Sequence, residues 1–186
     1  ESAFEEALTN HLLQNGWNEV IMNPTEDDLI KNWAKIIYDN NRGINQLNGF
    51  PLTDSEMQQI IAKVNMCQNP YEVNNFINAK SVCITRDNAS DTNNYGKEVY
   101  LKIFDTKESC SGQSRYQIAR QPKLRTASQM AGDRRGDLML LINGMPVVHI
   151  ELKRSGVDVT QAVNQIKKYA HEGVFSHGIF SLIQIF

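Results

Sequence analysis

The sequence predicts one domain of the α/β class, in which a mixed β-sheet is flanked by helices. Helical periodicity dominates residues 1–80, strand-like alternation dominates residues 81–186, and one more helical pattern separates the last two strand-like runs. A helix between two strands usually joins parallel neighbours, whereas a tight turn joins antiparallel ones. We therefore expect a single domain over residues 1–186, with a helical N-terminal part (1–80) and a sheet with a crossover helix (81–186).

Four helices are predicted in the N-terminal part, from apolar residues spaced three or four positions apart and from capping residues. The first covers residues 2–14 and stops before Gly16. The second follows Pro24 and has acidic residues in its first turn, and the third follows Thr53, which begins a capping-box sequence. The fourth covers residues 70–79.

Six strands are predicted after Lys80, from β-branched and aromatic residues bounded by polar loops; they cover residues 81–86, 98–104, 115–120, 137–142, 147–153 and 179–186. Asn143-Gly144 is a strong signal for a hairpin between the fourth and fifth strands. A helix over residues 160–171 connects the fifth strand to the sixth, so these two strands are expected to be parallel. The loop 121–136 is expected to be the least ordered part.

The composition excludes several classes of protein. No apolar run approaches the roughly 20 residues that span a bilayer, and no signal-peptide pattern opens the chain. Cys67, Cys83 and Cys110 lack CxxC spacing, which favours reduced thiols over a disulfide framework or a zinc site. We therefore expect a cytoplasmic protein. Because the chain starts without Met and stops within an apolar run, we also expect it to be a fragment of a longer polypeptide.

Positive charge is concentrated in one segment of the chain. Residues 115–172 hold ten Lys or Arg and five Asp or Glu, a net charge of +5, whereas the whole chain carries −2 and the remainder therefore −7. A basic segment that also contains acidic residues suits a site that acts on phosphate groups. A solvated surface is the alternative interpretation of the same charges.

The candidate catalytic residues are Asp137, Glu151 and Lys153. Glu151 and Lys153 lie two positions apart in a predicted strand, so their side chains share a face, and charged groups there are costly unless paired or bound. Mg²⁺ prefers oxygen ligands, which the two carboxylates and the carbonyl of Leu152 can supply. Lys153 can orient a water molecule or offset charge on a phosphate. An exposed ion pair at the strand end is the alternative.

The hairpin decides whether Asp137 can face Glu151. A two-residue turn at Asn143-Gly144 places Asp137 opposite Ile150, on the wrong face of the sheet. A three-residue turn that includes Met145 places Asp137 opposite Glu151. Three-residue hairpins with a bulge are common. The site therefore requires an odd-length loop or a bulge.

Two other positions allow competing interpretations. His149 shares the face of Glu151 and Lys153, but we expect a core histidine with satisfied hydrogen bonds rather than a ligand, because the expected cation prefers oxygen. Gln165 and Tyr169 lie one turn apart on the predicted helix. From spacing alone, Tyr169 belongs to the apolar face of that helix.

The run from Asp137 to Glu151-Leu152-Lys153 resembles the PD-(D/E)xK nuclease motif. The longer run LINGMPVVHIELKRSGVD (141–158), followed by Gln165-Ile-Lys-Lys-Tyr169, is similar to the N-terminal endonuclease domain of the restriction (R) subunit of type I restriction–modification enzymes. Phe4-Glu5-Glu6-Ala7-Leu8 also resembles the first helix of that family. Gly136 stands where the motif often has proline, a position that shapes the backbone and is not a ligand.

This resemblance implies a restriction-endonuclease-like sheet and the activity of a type I site-specific deoxyribonuclease. Asp137, Glu151 and Lys153 would be catalytic, and Asp137, Glu151 and the Leu152 carbonyl would bind one or two Mg²⁺ ions. An acid at the position of Glu5 can face the metal in that family.

The resemblance also implies contacts with double-stranded DNA. It implies that Gln165 and Tyr169 contact the DNA backbone or support the active site. Arg154 and Lys168 are further candidates for DNA contact, although a solvated helix face explains Lys168 equally well.

The family implies a larger complex than this chain. Its enzymes cleave unmethylated DNA at random positions, driven by ATP, together with modification and specificity subunits. The chain contains no GxxxxGK[S/T] sequence, so ATP is expected to bind elsewhere in the full-length enzyme.

Two alternatives remain open at this stage. The chain could be another PD-(D/E)xK DNA nuclease, such as a repair or junction-resolving enzyme, or a catalytically silent DNA-binding or assembly module. The intact set of Asp, Glu and Lys argues against the silent module.

Overall fold

The computed structural model describes residues 2–79, 81–103, 114–126 and 133–186. The helices within these ranges are α1 (Ser2–Gln14), α2 (Glu26–Asn40), α3 (Asp54–Asn65), α4 (Pro70–Ile77), α5 (Thr160–His171) and the 3-10 helix η1 (Ile179–Leu182). The strands are β1 (Glu19–Met22), β2 (Val82–Thr85), β3 (Glu98–Leu101), β4 (Tyr116–Arg120), β5 (Lys123–Leu124), β6 (Arg134–Arg135), β7 (Leu138–Ile142) and β8 (Met145–Ile150). The five predicted helices are confirmed, with α1 and α5 at their predicted bounds.

The chain divides into two compact units. The sheet unit comprises Glu1–Leu29 and Arg115–Phe186, and the inserted unit comprises Ile30–Ser114. The candidate site residues belong to the sheet unit. None of the described helices is both long and apolar enough to cross a membrane. Cys67 and Cys83 are free thiols, as predicted, and Cys110 lies outside the described residues.

A four-stranded mixed sheet, in the order β1-β4-β7-β8, forms the centre of the sheet unit. β1 pairs with β4 in parallel, and β4, β7 and β8 are successively antiparallel. Leu8 and Leu12 of α1 pack on one face, against a core that includes Ile118 and Leu140. On the other face, the ring of His149 in β8 contacts Tyr169 of α5, with their centroids 6.4 Å apart. The predicted α/β class, with helices flanking a mixed sheet, is confirmed.

The β7–β8 hairpin combines a two-residue turn with a β-bulge. Asn143 (φ 51°) and Gly144 (φ 84°) form the turn, so the first of the two predicted alternatives, an odd-length loop, does not occur. The pairing then shifts, because Leu141 pairs with Pro146 whereas Leu140 pairs with Val148. Val147 is the extra residue, and continuing the shifted register places Asp137 opposite Glu151. The alternative of a bulge is therefore confirmed.

Strand β8 ends earlier than predicted, at Ile150 instead of Lys153. The main-chain N–H of Leu152 donates to Oδ2 of Asp137 at 2.6 Å. A side chain thus takes the place of the strand carbonyl that would have continued the ladder. Glu151 and Lys153 consequently lie in the segment that leaves the sheet.

The predicted strand over residues 179–186 is also wrong. Gly178 adopts a positive φ of 66°, and the carboxylate of Glu26 accepts a hydrogen bond from the main chain of Ile179, where η1 begins. The N–H groups of Ser181 and Ile183 then donate to the carbonyls of Gly178 and Phe180, which are bonds of a helical turn and not of a strand ladder. The expected parallel direction holds at one isolated bridge, between Val148 and Ile185.

Two pairings were not predicted from the sequence. β1 lies within the part predicted to be helical, and its four residues are too few to give a recognisable alternation. β5 and β6 pair antiparallel inside the loop 121–136, which was expected to be the least ordered part. Residues 127–132 of that loop lie outside the described ranges.

The inserted unit is organised around a buried arginine. Arg86 is 1% exposed and lies between the carboxylates of Glu56 and Asp91, both fully buried. Glu56 also completes the predicted capping box of α3, since its side chain accepts from the Thr53 main chain at 2.9 Å. One carboxylate therefore serves both the helix start and the buried ion pair.

Candidate active site

The hairpin brings Asp137, Leu152 and Glu151 together at one end of the central sheet. Asp137 comes immediately before β7, and Glu151 comes immediately after β8. Because these strands are antiparallel, the two positions lie side by side. The 2.6 Å hydrogen bond from the Leu152 N–H to Oδ2 of Asp137 fixes the aspartate carboxylate at the strand end.

The environment of Asp137 disfavours its charged form. Burial raises the pKa of Asp137 above its ordinary value, and the neighbouring Glu151 carboxylate raises it further. The Leu152 N–H and the Lys153 ammonium act in the opposite direction. Two adjacent carboxyl groups in a partly buried position would gain most from a bound cation.

The side chain of Glu151 is almost fully enclosed, with 2% of it exposed. Its Oε1 lies 3.4 Å from Nζ of Lys153 and accepts a hydrogen bond from Nε2 of Gln165. Its Oε2 has no hydrogen-bond partner among the described residues, although Nε2 of His149 lies 3.4 Å away. One oxygen of this buried carboxylate is thus still able to bind a ligand.

Gln165 connects the site to helix α5. Its carbonyl oxygen accepts from Nζ of Lys153 at 2.7 Å, and its amide nitrogen donates to Glu151 and to the Tyr169 hydroxyl, the latter at 2.6 Å. The Tyr169 hydroxyl in turn donates to the Arg135 carbonyl at 3.3 Å. Gln165 thereby holds the ends of both charged side chains.

Tyr169 fits both interpretations proposed from the sequence. Its side chain is buried, with the residue 5% exposed, as expected for the apolar face of α5. Its hydroxyl nevertheless belongs to the hydrogen-bonded chain that leads to Glu151. Burial raises the pKa of this hydroxyl, and the nearby Glu151 and Asp137 carboxylates contribute in the same direction.

The remaining predicted site residues are Glu5, Arg154 and Lys168. Glu5 is 4% exposed, and its carboxylate accepts from Nε of Arg120 at 3.0 Å and from Nε2 of Gln121 at 3.1 Å. Arg154 and Lys168 are exposed, on the segment after β8 and on α5 respectively.

Gln121 is a site residue that the sequence did not reveal. Its main-chain N–H donates to the Asp137 carbonyl at 2.8 Å, while its side chain donates to Glu5. It therefore links Glu5 to Asp137. Gln121 follows β4 in a segment predicted to be an irregular loop, and no local sequence pattern marks it.

His149 is a core residue with 0% exposure, as expected. Among the described residues, neither of its ring nitrogens has a hydrogen-bond partner, and Nε2 lies 3.4 Å from Oε2 of Glu151.

The atoms at this strand end suit Mg²⁺. Among the described residues, no group of three or more His, Cys, Asp or Glu side chains is arranged to hold a metal. Mg²⁺ needs fewer protein ligands than such a group provides, because it usually keeps several waters and takes one or two carboxylates. Asp137, the buried and unpartnered Oε2 of Glu151, and the Leu152 carbonyl beyond the end of β8 provide hard oxygen atoms of that kind.

Comparison with known proteins identifies the family. The family described as "Type I restriction enzyme R protein N terminus" matches residues 1–186. The chain belongs to this family. The resemblance recognised in the sequence is thereby confirmed. The chain is 34% identical over all 186 residues to a type I restriction enzyme endonuclease subunit from Staphylococcus saprophyticus.

Other relatives carry the same description. The domain is 32% identical over 186 residues to a type I restriction enzyme endonuclease subunit from Staphylococcus aureus. It is 43% identical over 53 residues, 28% of the chain, to the endonuclease subunit of the EcoprrI enzyme from Escherichia coli, 17% of which is covered. The domain spans 18% of the length of each of the two staphylococcal relatives.

Proposed function

We propose that this R-protein N-terminal domain is a Mg²⁺-dependent endonuclease domain that hydrolyses DNA phosphodiester bonds without sequence preference. The observation that carries the proposal is the convergence of Asp137, Glu151 and Lys153 at one strand end, with a buried Glu151 oxygen unpartnered among the described residues. A structural ion pair would not need an additional carboxylate beside it, and the raised pKa of Asp137 gives that carboxylate no structural benefit.

In this proposal, Asp137, Glu151 and the Leu152 carbonyl hold the metal. A bound Mg²⁺ ion would lower the pKa of a water molecule and polarise the scissile phosphate. The ammonium group of Lys153 would lie beside the metal and the phosphate, where it can orient water and offset negative charge on the phosphate. Gln165 restrains Lys153 and Glu151 together, so the two groups keep a fixed separation.

We further propose that the domain acts within a complex that contains modification and specificity subunits. The described part of the chain supplies a phosphate-cutting site, and ATP is expected to bind outside this sequence, which has no P-loop pattern. Cleavage of unmethylated double-stranded DNA would then depend on delivery of DNA to this domain by the rest of the complex.

The test is cleavage by the full-length subunit, assembled with its partner subunits, carrying Asp137→Ala, Glu151→Ala or Lys153→Ala. Each variant is expected to lose at least about 100-fold in cleavage rate. ATP hydrolysis and DNA translocation should remain near the wild-type rate, because the motor lies outside this domain. Lys35→Ala, which removes an exposed lysine of the inserted unit, is the matched control for Lys153→Ala.

Two results would contradict the proposal. Cleavage by Glu151→Ala at the wild-type rate would remove the basis for the metal site. Equal loss of cleavage and of ATP hydrolysis in all variants, including the control, would indicate damage to assembly instead of chemistry.

A further inference from the structure

His149 and Glu151 bring two buried polar atoms close together. His149 is 0% exposed, and neither ring nitrogen has a hydrogen-bond partner among the described residues. The Oε2 atom of Glu151 is likewise buried and unpartnered there. Nε2 of His149 lies 3.4 Å from this oxygen. A buried donor and a buried acceptor are both costly when left unmatched, which favours a direct interaction between them.

The packing around the imidazole holds it in this orientation. Its ring centroid lies 5.5 Å from that of Phe175 and 6.2 Å from that of Phe186. The edge of the ring formed by Cε1 and Nδ1 lies against Gly136, where an added Cβ would come within 2.7 Å of the His149 Cε1 atom. The ring therefore has little room to turn Nε2 away from Glu151. Gly136, which immediately precedes Asp137, provides the space for it.

We propose that His149 is a positioning residue for Glu151: its Nε2–H donates a hydrogen bond to Oε2 and fixes the direction of the carboxylate. This inference rests on the proposed metal-dependent function of the site. A carboxylate oxygen can accept but not donate, so the neutral ring must carry its proton on Nε2. Hydrogen bonds of this kind orient metal-ligating side chains in many metal sites.

The hydrogen bond determines how much of the carboxylate remains for a cation. Each carboxylate oxygen has about two lone-pair sites. On Oε1 these face the Lys153 ammonium and the Gln165 amide. The bond from His149 occupies one site on Oε2 and leaves one. Glu151 is thereby set to bind a cation through a single oxygen.

The first test determines the tautomer of His149 in the protein without added metal. Long-range ¹H–¹⁵N spectra of the 186-residue chain, with the His149 signals assigned by their loss in His149→Gln, report which ring nitrogen carries the proton. A proton on Nε2, in a neutral or charged ring, supports the proposal. A neutral ring protonated on Nδ1 alone overturns it. This measurement does not depend on nuclease activity.

The second test compares His149→Gln with His149→Met in the full-length subunit assembled with its partners. Glutamine and methionine have the same length, but glutamine alone keeps a donor near the position of Nε2. The Met variant is expected to need about 10- to 100-fold more Mg²⁺ for half-maximal cleavage, as found when such supporting bonds are removed. The Gln variant should stay within about threefold of wild type, which a simple space-filling role would not predict.

Equal weakening of the Gln and Met variants would overturn the proposal, because it would indicate that the ring itself is required as a ligand or as filler. Wild-type behaviour of both variants would overturn it as well. If neither variant unfolds cooperatively on heating, the tautomer of the wild-type ring decides alone. Failure of wild-type cleavage would refute the proposed function, whereas the tautomer would still test the hydrogen bond.

Discussion

Replacement of Arg86 by lysine is expected to destabilise the protein by about 3–5 kcal/mol, the usual cost of breaking a buried ion pair. The Arg86 guanidinium donates to Asp91 through Nε at 3.0 Å and to Glu56 through Nη1 at 2.5 Å. Its other donors reach three main-chain carbonyls, those of Leu47, Phe50 and Pro51. All five guanidinium N–H groups thus have acceptors.

A lysine in this place has three donors on a single nitrogen. It cannot span the two carboxylates and the carbonyls at once, so at least one buried carboxylate loses its partner. Domains of this type are stable by about 5–15 kcal/mol in total. The substitution would therefore remove a large share of the free energy of unfolding. It corresponds to a decrease in Tm of roughly 6–20 °C, at about 2–4 °C per kcal/mol.

Urea unfolding followed by the fluorescence of Trp33 would measure the effect. Trp33 is fully buried in the inserted unit, and a Trp17→Phe background removes the second tryptophan. Arg42→Lys is the matched control, because Arg42 has a 60% exposed side chain and pairs with Asp39 at the surface. Such pairs contribute about 0–1 kcal/mol. If Arg86→Lys costs no more than Arg42→Lys, the assignment of Arg86 as the organising ion of the unit is refuted.

Three further predictions concern the sheet unit. Asp137→Asn should raise Tm at neutral pH. Because the pKa of Asp137 is raised in the folded protein, the stability that this carboxyl group contributes is present below its ordinary pKa and is lost as pH rises through the folded pKa. The difference in Tm between the variant and the wild type should therefore vanish near pH 4. Thermal unfolding between pH 4 and 8 measures this, and a lower Tm at pH 7 would contradict it. Gly136→Ala should cost about 1–3 kcal/mol by urea unfolding, because its Cβ would meet the buried His149 ring at 2.7 Å, and an unchanged midpoint would show that the ring can move. The isolated chain should bind short duplexes weakly, with Kd about 10⁻⁴–10⁻⁶ M that rises steeply with salt and is independent of sequence. Weak binding is expected because several arginines of the basic segment are already paired with carboxylates, such as Arg134 with Glu172. Tight, salt-insensitive binding to one duplex sequence would refute the prediction.

Local signals in the sequence predicted most of the elements that build the site. The helix over residues 160–171 was predicted with its bounds because apolar spacing and Gly173 both act within a few residues. Asn143-Gly144 predicted the hairpin for the same reason, since both residues adopt the positive φ that such turns require. The catalytic roles of Asp137, Glu151 and Lys153 remain predictions.

The parts that the sequence did not predict depend on contacts between distant residues. The position of the bulge at Val147 is set by how two strand faces pack, and neither strand encodes it alone. The carboxylate of Glu26 begins η1 from more than 150 residues away, so the strand expected there could not be rejected from its own apolar residues. Gln121 enters the site through its main-chain N–H, which carries no residue-specific signal.

The bulge at Val147 determines whether the carboxylates of Asp137 and Glu151 lie on the same side of the sheet. Along the chain, Glu151 follows Asp137 by 14 positions, and regular pairing of the same residues without a bulge would place the aspartate opposite Ile150. A single-residue insertion or deletion that leaves the bulge in place would turn one carboxylate to the opposite side of the sheet, whereas a two-residue change, or loss of the bulged residue itself, would keep both on the same side. Among related domains, hairpins of different length should therefore differ by even numbers of residues, or gain and lose a bulge when the difference is odd.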